Sequence, residues 1–113
     1  MENLPLKGIK VIDAASFIAA PLVSALMSDY GAEVIKIEPL TGDTYREAVI
    51  GGHVWPESEI DWAFILENRN KRSLSIDLKS KEGQLILKKL LKDTDVFVTN
   101  LPKTPREKLR LTN

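Results

Sequence analysis

The stretch "GIKVIDAASFIAAPLVSALMSDYGAEVIKIE", residues 8–38, decides the fold of this chain. Its opening, "GIKVIDAA" (8–15), is rich in β-branched side chains and predicts a buried strand. "PLVSALMSDYG" (21–31) predicts a helix, and "AEVIKIE" (32–38) predicts a second strand. Strand, helix and strand in this order form a βαβ unit, whose two parallel strands are joined by a right-handed crossover.

The helix predicted for 21–31 has signals at both ends. Pro21 suits the first turn because its missing N–H costs nothing there, and Gly31 suits the position just past the helix. The helical spacing predicts one apolar face. Leu22, Leu26 and Tyr30 share that face, which Val23 and Met27 flank.

A second strand–helix–strand pattern follows. "KRSLSIDL" (71–78) alternates apolar and polar residues and predicts a strand with one wet face. Ser80 can cap the next helix, "KEGQLILKKLLK" (81–92). The predicted apolar face of that helix is Leu85, Ile86, Leu87, Leu90 and Leu91. The other predicted elements are a short helix within 61–70, a strand over 95–100 and a short helix over 105–111 that begins at Pro105.

This order predicts an α/β fold: a Rossmann-like, mostly parallel sheet with helices on its faces. The segment over about 39–60 interrupts the pattern with Gly, Pro and polar residues, and no period persists in it. A loop of this length in a compact domain is usually a functional loop or lid, or a disordered segment.

Composition excludes several classes of protein. The 113 residues suffice for one small domain. The chain has no Cys, which excludes disulfides, and its one His argues against a His-based zinc site, so no metal is expected. The longest weakly polar stretch, "AASFIAAPLVSALM", is too short to cross a bilayer, and no secretory signal opens the sequence. A cytoplasmic protein without a membrane partner is the expectation.

The formal net charge of zero hides an asymmetry. Residues 1–68 contain four Lys and Arg and eleven Asp and Glu, a net charge of −7. Residues 69–113 contain twelve Lys and Arg and five Asp and Glu, a net charge of +7. Two interpretations are open: the halves attract each other within the fold, or the basic half meets a polyanion. The cations concentrate around Arg69, Lys71 and Arg72 before one strand and in 103–110 after the next.

The chemistry visible in the sequence is limited. The carboxyl ends of strands in an open α/β sheet form ligand sites, but no GxGxxG, P-loop or nucleophile elbow follows any predicted strand. The carboxylates show no spacing that identifies an acid and base pair. Nucleic acid is not expected as a partner, because no aromatic residue occurs in 68–96 to stack on bases. A small polyanionic cofactor is the better hypothesis for the basic half.

Three segments together resemble the N-terminal part of the family III CoA-transferases. They are "PLKGIKVIDAASFIAAPLVSALMSDYGAEVIKIEPLTGD", "NRNKRSLSIDLKSKEG" and "DVFVTN", and they cover nearly the whole chain. That family includes formyl-CoA transferase, carnitine and bile-acid CoA-transferases, and α-methylacyl-CoA racemase. The resemblance implies coenzyme A, bound as an acyl-CoA substrate, and a fold that is incomplete relative to the full-length family.

The resemblance also implies site residues. The first loop would approach the thioester, while the strand after "NKRS", the loop after "DVFVTN" and the last helix would border coenzyme A. The matching positions are Ile18, Ala19, Ile76, Asp77, Leu78, Lys79, Asn100, Leu101, Pro102 and Lys108. Ile18 stands where formyl-CoA transferase has a polar residue, so formyl or oxalyl specificity is not expected.

The family acts through an Asp that no residue here matches, and that segment and the C-terminal segments are expected to be absent from this chain. The resemblance therefore implies the N-terminal part of a large coenzyme A-binding domain, with acyl-CoA and a carboxylic acid as partners of the parent enzyme. The chain alone is expected to be inactive. Family members form homodimers. Two alternatives stay open: a fragment of the racemase branch, or a non-catalytic binding or interaction module that needs a partner chain.

Overall fold

The computed structural model describes residues 3–47, 49–50, 53–54 and 62–111. Its strands and helices alternate along much of the chain. In chain order they are β1 (Lys10–Ala14), α1 (Ala19–Asp29), β2 (Glu33–Glu38), β3 (Val49–Ile50), β4 (His53–Val54), α2 (Trp62–Asn68), β5 (Arg72–Ser75), α3 (Lys81–Leu91), β6 (Val96–Thr99) and α4 (Lys103–Lys108).

The central sheet has four parallel strands in the order β5-β2-β1-β6. Ile12 of β1 lies opposite Ile35 of β2 on one side and Phe97 of β6 on the other. The α/β fold with a parallel sheet and helices on its faces is therefore confirmed. All four strands end at the same edge, which places the loops that follow them side by side.

The face of the sheet under α3 is apolar. Its buried cluster contains Ile12, Ala14, Ile37, Ile76 and Leu87, packed together with Leu90 and Leu91 of the same helix. Ser80 caps α3 as predicted, because its Oγ accepts a hydrogen bond from the N–H of Gly83 at 2.9 Å. The predicted apolar face of α3 is wrong in part, since Leu85 and Ile86 point to solvent.

The opposite face lies under α1 and α2 and has two zones. Val11, Ala32 and Val34 form a small apolar cluster near the amino ends of the strands. Towards the carboxyl ends, the buried side chains of this face are charged, namely Asp13, Lys36 and Glu38. Successive strand residues point to opposite faces, so these charged residues alternate with the apolar ones of the α3 face.

Helix α1 contacts the sheet with small residues and with Met27, so its predicted apolar face is wrong in part. Pro21, Ser24 and Ala25 are buried, whereas Leu26 and Tyr30 are 45% and 56% exposed. The helix begins at Ala19, two residues before the predicted start. Its predicted end is confirmed, because Gly31 follows Tyr30 with a φ of 104°, a conformation that favours glycine.

Three further predictions differ from the structure. The strand predicted for 71–78 ends at Ser75, although its wet face is confirmed by the exposed Ser73 and Ser75. Helix α4 begins at Lys103 rather than at Pro105. Within the segment 39–60, predicted to be irregular, the described part contains a 3₁₀ helix, Thr44–Glu47, and the antiparallel pair β3–β4, and the rest lies outside the described residues.

None of the helices formed by the described residues has the length and apolarity that a bilayer crossing requires.

Candidate functional site

A cleft of about 460 Å³ lies at the carboxyl edge of the sheet, where parallel α/β sheets bind ligands. Each of the four strands contributes the loop that follows it. The lining residues are Ala14, Ala15 and Ser16 after β1, Ile37 to Thr41 at the end of β2, Ile76 to Lys79 after β5, Leu101 after β6, and Leu109 after α4.

The structure brings half of the predicted site residues into this cleft. The five that line it are Ile76, Asp77, Leu78, Lys79 and Leu101. Asn100 stands behind the wall: its Nδ2 donates to Ser16 O at 2.8 Å, and its Oδ1 accepts from Ser16 N at 3.1 Å. Pro102 and Lys108 are exposed at the two ends of α4, next to the lining residues Leu101 and Leu109.

Ile18 and Ala19 are not brought into the cleft. Both are exposed at the start of α1, where Ile18 is the N-cap residue. Phe17 precedes them with a φ of 66°, the left-handed conformation, and its ring lies 6.1 Å from that of Tyr45. Phe17 and Ile18 are each about half exposed.

The Asp77–Lys79 wall of the cleft is a tight turn locked by hydrogen bonds. Asp77 Oδ1 accepts the N–H of Lys79 at 2.9 Å, and Asp77 O accepts the N–H of Ser80 at 3.1 Å. Gly83 packs against this turn so closely that an added Cβ would lie 1.9 Å from Asp77 O. The first turn of α3 therefore fixes the backbone of this wall.

Gln84 joins two walls of the cleft. Its Nε2 donates to Leu78 O at 2.5 Å and to Leu109 O at 2.6 Å. One side-chain amide thus ties the turn after β5 to the end of α4. Gln84 and Leu109 were not predicted as site residues, since no local sequence pattern shows that these segments meet.

The charged zone behind the cleft is centred on Asp13 and Lys71. Asp13 is 0% exposed, and its Oδ2 accepts hydrogen bonds from Ser24 Oγ and Lys71 Nζ, both at 2.6 Å. Lys71 Nζ lies within 3.1 Å of four oxygen acceptors, including Pro21 O. Burial lowers the pKa of Lys71, and the neighbouring Asp13 carboxylate opposes that shift.

A second buried group surrounds Glu38 at the end of β2. Its carboxylate accepts hydrogen bonds from Arg46 at 2.8 and 3.0 Å, from the N–H of Asp43 at 3.0 Å, and from Ser73 Oγ. Burial alone raises the pKa of Glu38, but these hydrogen bonds outweigh it and hold the pKa at about 2. The Arg46 guanidinium also lies 3.9 Å from the ring centre of Phe64.

The cations around β5 pair with the acidic half of the chain. Arg69 makes a two-pronged contact with Asp29, with a shortest distance of 2.6 Å, and its hydrogen bonds lower the pKa of Asp29. Lys71 pairs with Asp13, and Arg72 lies 3.7 Å from Glu33. This supports mutual attraction of the two halves for the cluster at 69–72. Lys79 differs: within the described part of the chain it makes no ion pair, and it lines the cleft.

Comparison with known proteins identifies the family. Residues 6–113 match the sequence profile of CoA-transferase family III. The chain belongs to CoA-transferase family III. The resemblance drawn from the sequence is thereby confirmed.

Curated relatives are similar over most of this chain. The (R)-2-hydroxy-4-methylpentanoate CoA-transferase of Clostridioides difficile is 49% identical over 106 residues, which cover 92% of this chain and 26% of that protein. The alpha subunit of succinyl-CoA–L-malate CoA-transferase of Chloroflexus aurantiacus is 39% identical over 100 residues, 88% of this chain and 23% of the relative. The chain therefore spans about a quarter of the length of these relatives.

The fold is shared with solved structures. The crystal structure of a CAIB/BAIF family protein from Brucella suis superposes with a TM-score of 0.84 at 31% identity, covering 99% of this chain and 30% of that one. The orthorhombic form of Rv3272 from M. tuberculosis also gives a TM-score of 0.84, at 30% identity.

Proposed function

We propose that this chain forms the coenzyme A side of a site in which an enzyme moves coenzyme A from an acyl-CoA to a carboxylic acid. The observation that carries the proposal is the cleft at the carboxyl edge, because five of the residues assigned by the family resemblance line it. The relatives act, by their names, on succinyl-CoA and on 2-hydroxy acids.

The groups that line and flank the cleft are chemically complementary to the pantetheine arm and the phosphates of coenzyme A. Ile76, Leu78 and Leu101 offer apolar surface to the pantetheine arm, and the turn at Asp77–Lys79 offers backbone groups. Lys79 supplies a cation at the rim, and Lys108 supplies another at the end of α4. Charge-assisted hydrogen bonds to phosphate oxygens are stronger than neutral ones, so these two lysines are the proposed phosphate ligands.

Covalent chemistry is proposed to depend on an Asp outside these residues. The carboxylates near the cleft are engaged: Asp13 with Lys71, Glu38 with Arg46, Asp43 with Lys36, and Asp77 with the N–H of Lys79. A nucleophile needs a reactive oxygen that reaches the thioester, and neither Asp13 nor Asp43 is exposed. The chain alone is therefore expected to bind coenzyme A without turnover. The test is to incubate the chain with acyl-CoA donors and carboxylate acceptors and to measure the transfer of coenzyme A by mass spectrometry. Steady turnover that Asp77→Asn abolishes would contradict this expectation.

The binding test compares the wild-type chain with the double variant Lys79→Ala/Lys108→Ala by isothermal titration with coenzyme A. We expect the double variant to bind about tenfold more weakly, because charged hydrogen bonds to phosphate are lost. Its affinity should also depend less on salt, since screening acts on the charged contacts. Lys88→Ala, exposed on α3, is the matched control and should bind like the wild type. Equal affinities for all three proteins would contradict the assignment.

We also propose that the exposed apolar helix faces contact another polypeptide, either a second copy or a partner chain. Leu26 and Tyr30 of α1 and Ile65 and Leu66 of α2 are each about half exposed or more, and the two helices pack side by side. Exposed apolar patches of this kind mark interaction sites. Chloroflexus aurantiacus relatives are named as alpha and beta subunits. Sedimentation over a range of concentrations should show association, and a monomer at every concentration would contradict the proposal.

A further inference from the structure

The loop after β1 is held by side chains at successive peptide groups. In the first peptide, Ala14 O accepts a hydrogen bond from Thr99 Oγ1 at 2.9 Å. The N–H of the same peptide, at Ala15, donates to Asp13 Oδ1 at 3.0 Å. Both polar ends of this peptide therefore make a hydrogen bond to a side chain.

The next peptide is held in the same way from two other elements. Ala15 O accepts from Lys36 Nζ of β2 at 2.9 Å. The N–H at Ser16 donates to Asn100 Oδ1, which follows β6, at 3.1 Å. Ala15 and Ser16 line the cleft and form its first wall. These four hydrogen bonds therefore fix the position of that wall.

Lys36 also contacts Asp43, which follows the segment Pro39–Thr41 that forms a second wall of the cleft. Its Nζ lies 2.8 Å from Asp43 Oδ2, and Asp43 Oδ1 accepts the N–H of Tyr45 at 2.9 Å. The N–H of Asp43 in turn donates to Glu38 Oε1 at 3.0 Å. Asp43 therefore fixes the segment that starts at the end of β2 and forms this second wall.

We infer that Lys36 is a positioning residue: its single ammonium group joins the Ala15–Ser16 wall to the Pro39–Asp43 wall and sets the width of the cleft between them. The inference rests on the proposed function as far as the ligand is coenzyme A. Among the described residues, the groups near Lys36 Nζ include Ala15 O, the Asp43 carboxylate and, at 5.9 Å, the ring of Phe64, and the Lys71 cation also interacts with Lys36.

Burial makes this link rigid. Lys36 is 1% exposed and Asp43 is 4% exposed, so water does not replace a lost partner. A buried ammonium that moved away from either oxygen would be left with an unsatisfied charge, which is costly. An uncharged side chain of similar length holds neither wall, so the link depends on the charge and not on packing alone.

The test is the double variant Lys36→Met/Asp43→Asn, which removes the ammonium without leaving a buried carboxylate unpaired. Amide hydrogen exchange at Ser16 is expected to speed up about tenfold, and coenzyme A to bind about tenfold more weakly, because a charged hydrogen bond to one wall and an ion pair with the other are lost. The matched control is Arg72→Met/Glu33→Gln, which removes an exposed ion pair from the amino edge of the sheet. It should alter neither quantity.

The two readouts separate this inference from the proposed function. If the wild type does not bind coenzyme A, the proposed function fails while the exchange rate at Ser16 still tests the link. If the double variant matches the wild type in both readouts, the inference is overturned.

Asp43→Asn alone is the second variant, and it serves if the double variant does not fold. It should speed exchange at Tyr45 and, through Lys36, at Ser16. A change confined to residues 43–45 would overturn the inference.

Discussion

On the face of the sheet under α3, the buried residues are Ile12, Ile37 and Leu87, and on the face under α1 and α2 they are Asp13, Lys36 and Glu38. The apolar contacts are non-directional, so similar side chains can replace one another. The charged contacts need a particular partner at a particular distance, and Lys71, the partner of Asp13, comes from a distant part of the chain. One face therefore stabilises the fold by burial, and the other fixes the geometry of the cleft edge.

The largest expected effect separates the two faces directly. Lys71→Met leaves Asp13 buried without its cation and should lower the free energy of unfolding by about 3–5 kcal/mol. Leu87→Met, a similar replacement on the apolar face, should cost less than about 1.5 kcal/mol. Urea denaturation followed by circular dichroism measures both. Equal losses would break the comparison, and Lys71→Met/Asp13→Asn should recover part of the larger loss.

The second prediction uses pH. The folded pKa of Glu38 is about 2, below its ordinary value of 4.5, so its stabilising effect is complete above pH 4.5 and disappears as the pH falls towards 2. The shift corresponds to about 3 kcal/mol. Glu38→Gln should therefore be less stable than the wild type at pH 6, and the difference should shrink at pH 3. Glu107→Gln, an exposed control, should follow the wild type, and a constant gap for Glu38→Gln would contradict the prediction.

The third prediction concerns the apolar side of the cleft wall. Gly83→Ala pushes a methyl group against Asp77 O and should cost about 1–3 kcal/mol, because either α3 or the turn must move. Thermal melting measures the loss, and amide shifts at 77–80 show that the turn is displaced. Leu85→Ala, exposed on the same helix, should leave those shifts unchanged. If Gly83→Ala melts like the wild type, the turn is not as tightly packed as described.

The smallest effect is expected at the cap of α3. Ser80→Ala removes the hydrogen bond to the N–H of Gly83 and should cost about 1 kcal/mol. Ser75→Ala, at an exposed position of β5, serves as the control and should cost less. The denaturation midpoints of the two variants measure their losses of stability. A larger loss of stability for Ser75→Ala than for Ser80→Ala would show that the cap contributes little.

The apolar face could be predicted from the sequence more readily than the charged one. Hydrophobic periodicity predicted the four strands of the central sheet and the order of their elements, and residue type predicted the cap at Ser80, since these depend on residues close together in the chain. Periodicity predicted the buried face of α1 only in part, because Ser24 is buried where its Oγ donates a hydrogen bond to Asp13 and not for its own hydrophobicity. Tertiary charge pairing overrode the local pattern there.

The candidate site could be predicted in part. The family resemblance pointed to 76–79 and Leu101, which line the cleft, but composition alone had left the role of the cations open. Lys36 was not predicted, because a single lysine within "EVIKIE" gives no sign that its partners are Ala15 and Asp43. Contacts of that kind depend on how three loops meet, and the sequence of any one loop does not contain them.

The most direct test of the central claim is a ¹⁵N chemical-shift titration of the chain with coenzyme A, with 3′-dephospho-coenzyme A alongside. The claim predicts shifts at the carboxyl edge, in residues 14–16, 39–41, 76–79 and 101–109, that weaken with the dephospho form. The smaller cavity of about 170 Å³ at the amino edge, lined by Lys10, Arg72 and Lys89, should stay unchanged. Shifts centred on that amino-edge cavity, or no shifts at the carboxyl edge, would contradict the assignment of the cleft to coenzyme A.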